Sequence, residues 1–355
     1  VCRAIADCAE EATDALIGLL EHYARAADPS VERTGRRLED EFELASEGMN
    51  STRGVAAAAI GQILLAQETY APRLLPTVEK LAQDPILSVR AEATRAVSAL
   101  FKSHLEQALD VADALFATSD IEIHLSNHAN ELLLYAVFRA GPRFSRHLNR
   151  ALEADSPIAV RAGHIWANAY LNDRLPQACT PDVTDLPILA RQGAAETMAT
   201  APHLAPDELV RLFDDGDPDV RKAAAAAIRV LHEPDSASIS EHVVAAFAAS
   251  CAFPDHFGDL FHSLEQSLRL LPSTTIIACE RAVDHAGVEL GDLSRAAAAI
   301  SRDIVTVVLR LYRQGDAVMR DRCLDVVDKL ADVGAYGLPE ALQHESRTDG
   351  GPGPG

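Results

Sequence analysis

Apolar residues recur three and four positions apart along most of the chain, as in PRLLPTVEKLAQ (72–83), SHLEQALDVADALFA (103–117) and EHVVAAFAAS (241–250). That period places them on one face of a helix, and no strand-like alternation is sustained anywhere. The pattern predicts an all-α fold. Ala, Leu and Val carry the apolar share, which suits helix interiors more than strands. Three stretches depart from the rhythm. Residues 1–48 read as acidic helix, a cap or a linker from an upstream region. LPQACTPDVTDLP (175–187) interrupts with three prolines, and from about 270 the helices lengthen, as in SRAAAAISRDIVTVVLRLYRQ (294–314).

One short motif recurs among these helices: Asp-Pro, two or three residues, Val-Arg, then small residues. It reads DPILSVRAEA (84–93), DSPIAVRAGH (155–164) and DPDVRKAAAA (217–226). Weaker copies are NSTRGVAAAA (50–59), LARQGAAETM (189–198) and DAVMRDRCLD (316–325). Their arginines are Arg53, Arg90, Arg161, Arg191, Arg221 and Arg320, with gaps of 37, 71, 30, 30 and 99 residues. The gap of 71 reads as two units, one hidden near SDIEIHLSNHANELLLYAV, and the gap of 99 as three. A period of about 30–40 residues with two helices per unit predicts an α-solenoid of HEAT- or armadillo-like pairs wound as a right-handed superhelix. In such a unit Asp84 and Asp217 cap the inner helix and Pro85 and Pro218 occupy its first turn, with Asp155 a further member of the repeat motif. Val89, Val160 and Val220 face the next unit, and the arginine reaches along the stack to an Asp or a free carbonyl. The expected division is a cap at 1–48, a repeat array at 49–345 and a disordered Gly/Pro tail at 346–355.

Composition narrows the functions open to such a chain. Of its 355 residues 48% are apolar and 5% aromatic, and the formal net charge is −21. That hydrophobicity excludes disorder, and the charge disfavours general nucleic-acid binding. The six cysteines include no CxxC pair, so free thiols in a reducing cytoplasm are expected. The chain has no apolar run of membrane-spanning length, and no membrane partner is expected. Arg outnumbers Lys 28 to 4, which suggests a GC-rich bacterial gene.

Few residues suggest chemistry. His124, His128 and Glu131 in HLSNHANE would share a helix face and are candidate metal ligands; Asp255, His256, Asp259 and His262 form a second cluster. The ordinary alternative for both is structural histidine paired with local carboxylates. Arg143, Arg146, His147 and Arg150 share a helix face after Pro142, either as a basic docking patch for an acidic partner or as a solvated face paired with Glu153 and Asp155. The chain has no GxxxxGK[ST], no GxGxxG after a strand and no GxSxG. No catalytic residue, cofactor or bound metal is assigned.

Four segments together resemble the C-terminal helical-repeat region of large bacterial signal-transducing NTPases of the STAND type. They are EGMNSTRGVAAAAIGQIL (47–64), LLPTVEKLAQDPILSVRAEA (74–93), LPSTTIIACERAVDHAG (271–287) and VVLRLYRQGDAVMRDRCLDVVDKLADVGAYGLPEAL (307–342). The resemblance implies a cytoplasmic sensor or scaffold array that binds a protein partner, or the upstream domain of its own polypeptide. It transfers no ATPase residue. The expectation is therefore a non-enzymatic interaction array whose contact residues lie along the inner helices, such as Glu92, Arg95, Asn168 and Arg229. A metal-dependent repeat enzyme using the histidine clusters is the alternative, and a purely structural, self-assembling cap is a third reading.

Overall fold

The computed structural model describes residues 1–7, 9–27, 40–154, 157–175, 181–232, 239–267, 271–292 and 294–349. Among them every regular element is helical. The chain divides into two compact units, Val1–Ala194 and Ala195–Gly355. Asp155 of the second full motif lies outside the described residues.

The first unit contains α1 (Cys2–Asp7), α2 (Asp14–Tyr23), α3 (Glu41–Asn50), α4 (Thr52–Ala66), α5 (Ala71–Ala82), α6 (Leu87–Leu100), α7 (Leu105–Phe116), α8 (Asn127–Leu152), α9 (Pro157–Leu171) and the start of α10 (Ile188–Thr200). Helices pack mainly on their next-but-one neighbours: α4 on α6, α6 on α8, α5 on α7. α1, α2 and α3 all pack on α4, so the acidic N-terminal stretch is integral to this unit. α8 is two helices joined at a kink, where Ala140 leaves helical geometry (φ −146°, ψ 50°) two residues before Pro142. Proline disfavours α geometry in the residues before it, which places the break.

The second unit contains α11 (Pro206–Leu212), α12 (Pro218–Ala225), α13 (Glu241–Ala249), α14 (Phe253–Gln266), α15 (Pro272–Ala286), α16 (Ala296–Gln314), α17 (Ala317–Asp332) and α18 (Leu338–Asp349). The same alternation runs here, with α11, α13, α15 and α17 in one series and α12, α14, α16 and α18 in the other. The expected tail at 346–355 begins inside α18; residues 350–355 lie outside the described set. Five of the ten phenylalanines meet in this unit. Phe213, Phe247, Phe253, Phe257 and Phe261 form a chain of ring contacts with successive centroids 5.4, 5.8, 5.9 and 6.4 Å apart.

Local chemistry sets the helix starts. Asp217 accepts hydrogen bonds from the amides of Asp219 (2.9 Å) and Val220 (3.2 Å), and Pro218 occupies the first turn, where its missing N–H costs nothing. Ser51 caps α4 through the Gly54 amide, and Ser126 caps α8 through Ala129. Asp84 and Pro85 depart from the expected arrangement. They lie in the turn ahead of α6, whose N-cap is Ile86, because the Asp84 carboxylate is engaged by Arg53 of α4 at 2.7 and 3.1 Å.

The motif arginines hold turns in place. Arg161 reaches the Leu125 carbonyl (2.5 Å) and Glu41 (3.1 Å), and Arg90 bonds the Asp84 carbonyl (2.7 Å) and Asp120. Arg221 does not follow the expected reach along the stack, and Arg191 also has contacts close to its own helix. They bond carbonyls of the turn just ahead of their own helices: Leu186 (2.6 Å) for Arg191, and Asp215 (2.8 Å) for Arg221. A nearby turn with unused carbonyls is the closer acceptor. Arg320 likewise bonds the Tyr312 carbonyl at 3.2 Å and lies over that ring. Two further arginines, missed by the motif, do the long-range work in the second unit. Arg281 bonds the carbonyls of Ala248 and Ser250, and Arg310 those of Leu264, Glu265 and Ser267.

Close backbone approach explains part of the small-residue content. A Cβ on Gly163 of α9 would overlap the carbonyl oxygen of Ala190, and one on Gly193 of α10 that of Val160. No described helix is long and apolar enough to cross a membrane.

Candidate interaction groove

In the first unit, α3, α4, α6 and the start of α8 enclose a recess of about 410 Å³. Glu92 and Arg95 of α6 lie in it beside Arg3, Met49, Gln62 and His128. Helical spacing accounts for the pair: residues three apart on α6 share a face, here the face not used against α5 and α7. Gly48 of α3 makes room for the acid, since a Cβ there would stand 2.7 Å from Glu92 Cγ. Burial pushes the Glu92 carboxyl above its ordinary pKa, against the opposing pull of Arg95 and His128. Among the described residues, Arg95 has no ion pair or hydrogen-bonded partner.

A second recess of about 470 Å³ shares Arg95 and His128 with the first and continues it between α4, α6 and α8. Leu65, Lys102, Tyr135 and Arg139 line this part. Leu65 is 65% exposed and Tyr135 58%, and Met49 at the other end is 50% exposed. The result is one groove with apolar side chains along its length, lined by the cations Arg3, Arg95, Lys102 and Arg139 and by the acids Asp7, Glu41, Glu92 and Glu131; Lys102 is itself paired with Glu68 at 3.4 Å.

The other residues singled out from sequence are placed as follows. Asn168 donates to the His164 carbonyl of its own helix (2.9 Å), and Arg229 pairs with Asp259 (3.1 Å). His124 and His128 do not share a helix face. His124 belongs to a 3-10 turn (Ile121–Leu125) that ends before the Ser126 cap, and His128 is on α8. His124 is buried and stacked on Phe116 with centroids 5.3 Å apart, and its Nδ1 lies 3.3 Å from Asn130 Oδ1. Burial lowers its pKa to about 4, so it is neutral, while His128 lies 3.4 Å from Glu131 at the surface. The two imidazoles and Glu131 form no metal-ligand group.

The basic stretch after Pro142 is spent internally. Arg143 (3.1 Å), Arg146 (2.7 Å) and His147 (2.6 Å) converge on Asp113 of α7, and Arg143 also reaches Asp110. The acids that engage Arg143, Arg146 and His147 are therefore on the preceding helix; Asp155, one of the expected partners, lies outside the described residues. Burial alone would raise the Asp113 pKa, but the hydrogen bonds from His147, Arg146 and Arg143 prevail and hold it at about 2. Arg150 is half-buried on the same helix.

The four residues Asp255, His256, Asp259 and His262 all belong to α14 but do not converge. Asp259 is engaged by Arg229, and burial lowers the His256 pKa. Only His262 joins a potential ligand group, with Glu265 and Asp303.

No family model matches the chain, and no curated protein is similar to it. Among solved structures, an engineered protein aligns over 98% of this chain and 92% of its own, at 15% identity and a TM-score of 0.40. A likeness that slight assigns neither fold family nor function.

Proposed function

We propose that the chain is a non-enzymatic protein-interaction module built as a HEAT-like α-solenoid, and that the groove on α4, α6 and α8 receives a peptide segment of a partner. Two features support the solenoid: helices that pack on next-but-one neighbours, and arginine-held turns at Leu186, Asp215 and Ser250, spaced about one repeat apart. The observation that carries the binding role is the groove itself. It is long, lined by exposed Met49, Leu65 and Tyr135, and flanked by Arg95 and Arg139, neither of which is paired among the described residues. Such a surface suits a segment with apolar anchors at helical spacing and one or two acidic residues. The partner needs no deep pocket, because binding energy comes from a few buried anchors along an extended face.

On the same reading the chain serves as the recognition part of a larger bacterial signal-transducing NTPase. That step rests on the sequence resemblance of residues 48–345.

Panning the purified chain against a displayed peptide library tests the binding role. Enriched sequences should combine aliphatic or aromatic anchors with Asp or Glu. Arg95→Glu and Tyr135→Ala should each weaken a selected peptide by about tenfold or more, in line with loss of a hot-spot contact. Affinity unchanged from the unaltered chain in both variants would remove the groove from the proposal.

A further inference from the structure

We propose that His262, Glu265 and Asp303 form a binding site for a divalent transition-metal ion of the zinc class, clamping α14 to α16 in the second unit. His262 and Glu265 are three residues apart on α14, which puts both on one face. α16 packs on that helix and brings Asp303 to the same place. One ligand atom from each residue lies within 4.8 Å of the other two, and His262 Nδ1 is 3.7 Å from the Asp303 carboxylate. Ligand atoms about 2.1 Å from a shared ion stand roughly 3.4 Å apart in tetrahedral geometry, so small side-chain rotations close the set.

The donor chemistry selects the class of ion. One imidazole and two carboxylates suit Zn²⁺, Co²⁺ or Mn²⁺, whereas Ca²⁺ and Mg²⁺ favour all-oxygen sites and Cu⁺ favours sulfur. Charge points the same way. Arg302 faces Asp303 and Arg310 faces Glu265, but Arg310 is directed at the carbonyls of Leu264, Glu265 and Ser267. Glu265 and Asp303 offer carboxylate oxygens within 4.8 Å of each other, and two carboxylates held together are what a bound dication would stabilise.

The other side of the imidazole is furnished as well. Gln266 places its side-chain amide 2.9 Å from His262 Nε2. With an ion on Nδ1 the ring carries its proton on Nε2, and a half-turn of the amide presents Oε1 to accept it. That contact fixes ring orientation, as outer partners of metal-bound histidines do. Three protein ligands leave the remaining position to water.

Titrating the full chain with Co²⁺ and reading the visible absorption and the histidine ring signals by NMR tests this. In the unaltered chain the His262 ring should respond first, at the first equivalent. Asp303→Asn and Glu265→Gln should each weaken binding by about tenfold or more, while His256→Gln, six residues before His262 on the same helix and outside the group, should leave it unchanged. If another of the 13 histidines responds first, or if Asp303→Asn binds as tightly as the unaltered chain, the proposal fails. The order of histidine response needs no variant, so it stands even if a substitution unfolds the second unit.

Discussion

Arg53 of α4 holds the carboxylate of Asp84 with two hydrogen bonds, of 2.7 and 3.1 Å, across 31 residues of sequence. Both side chains are largely shielded, 15% and 8% exposed, and Arg53 also donates to the Ala26 carbonyl at 3.0 Å. The same carboxylate accepts from the Ile86 amide, so the pair orders the turn that starts α6. Removing one partner from a shielded, forked pair leaves an uncompensated charge. Arg53→Ala or Asp84→Ala should therefore cost about 3 kcal/mol, measured from urea unfolding. Arg229→Ala breaks a pair in which the arginine is 61% exposed and should cost less than about 1 kcal/mol. Equal losses would show that the shielded pair has no special structural role.

Gly163 and Gly193 make α9 and α10 approach backbone to side chain-free backbone, each glycine lying where a Cβ would overlap a carbonyl of the other helix. Alanine is intrinsically the better helix former by about 1 kcal/mol. Gly193→Ala should nevertheless destabilise, by about 2 kcal/mol or more, because a rigid carbonyl of Val160 cannot move aside. A Tm equal to or above that of the unaltered chain would show that the two helices can separate freely.

Glu92 gives a prediction of the opposite sign. Burial raises its folded-state pKa, so the folded chain holds that proton more tightly than the unfolded one. Ionisation then costs stability as pH rises above the ordinary carboxyl range, and none of this cost is present at low pH. Glu92→Gln should raise Tm at pH 7 and change it little at pH 4. A lower Tm at pH 7 would mean that Arg95 and His128 stabilise the carboxylate more than burial penalises it.

How much of this was legible in sequence depends on the range of the interaction. The all-α class follows from local periodicity, and the capping of α12 by Asp217 and Pro218 is written within four residues. Arg281 and Arg310 lie 60 and 89 residues beyond Arg221, near multiples of the 30-residue spacing, but no Asp-Pro flanks them. Searching by motif rather than by arginine spacing passes over them. The pairing of His147 with Asp113 spans 34 residues and depends on how α7 meets α8. The groove is less legible still, because Met49, Leu65 and Tyr135 read as ordinary apolar positions on three helices. Their exposure is a product of packing. The break between His124 and His128 did carry a local sign, since Ser126 is a favoured N-cap residue.

His124 makes acid stability a direct readout of that break. Its ring is buried against Phe116 and its pKa is lowered to about 4, first by burial and then by the positive charge of Arg150 and His147, against an opposing hydrogen bond with Asn130. An unfolded histidine titrates near 6.5, so below that pH the unfolded chain binds a proton that the folded chain refuses. The stability from neutral His124 is fully present above about pH 6.5 and is lost as pH falls towards 4. By pH 5 the loss should reach about 2 kcal/mol. Asp113, held at about 2 by His147, Arg146 and Arg143 over the penalty of burial, loses its own contribution only below about pH 4, so the two effects separate. His124→Phe should reduce the decline between pH 6.5 and 5, read as the difference in urea midpoint between those pH values, with His147 and His256, whose pKa values burial also lowers, supplying the remainder. An unchanged decline in the variant would place the titrating group elsewhere.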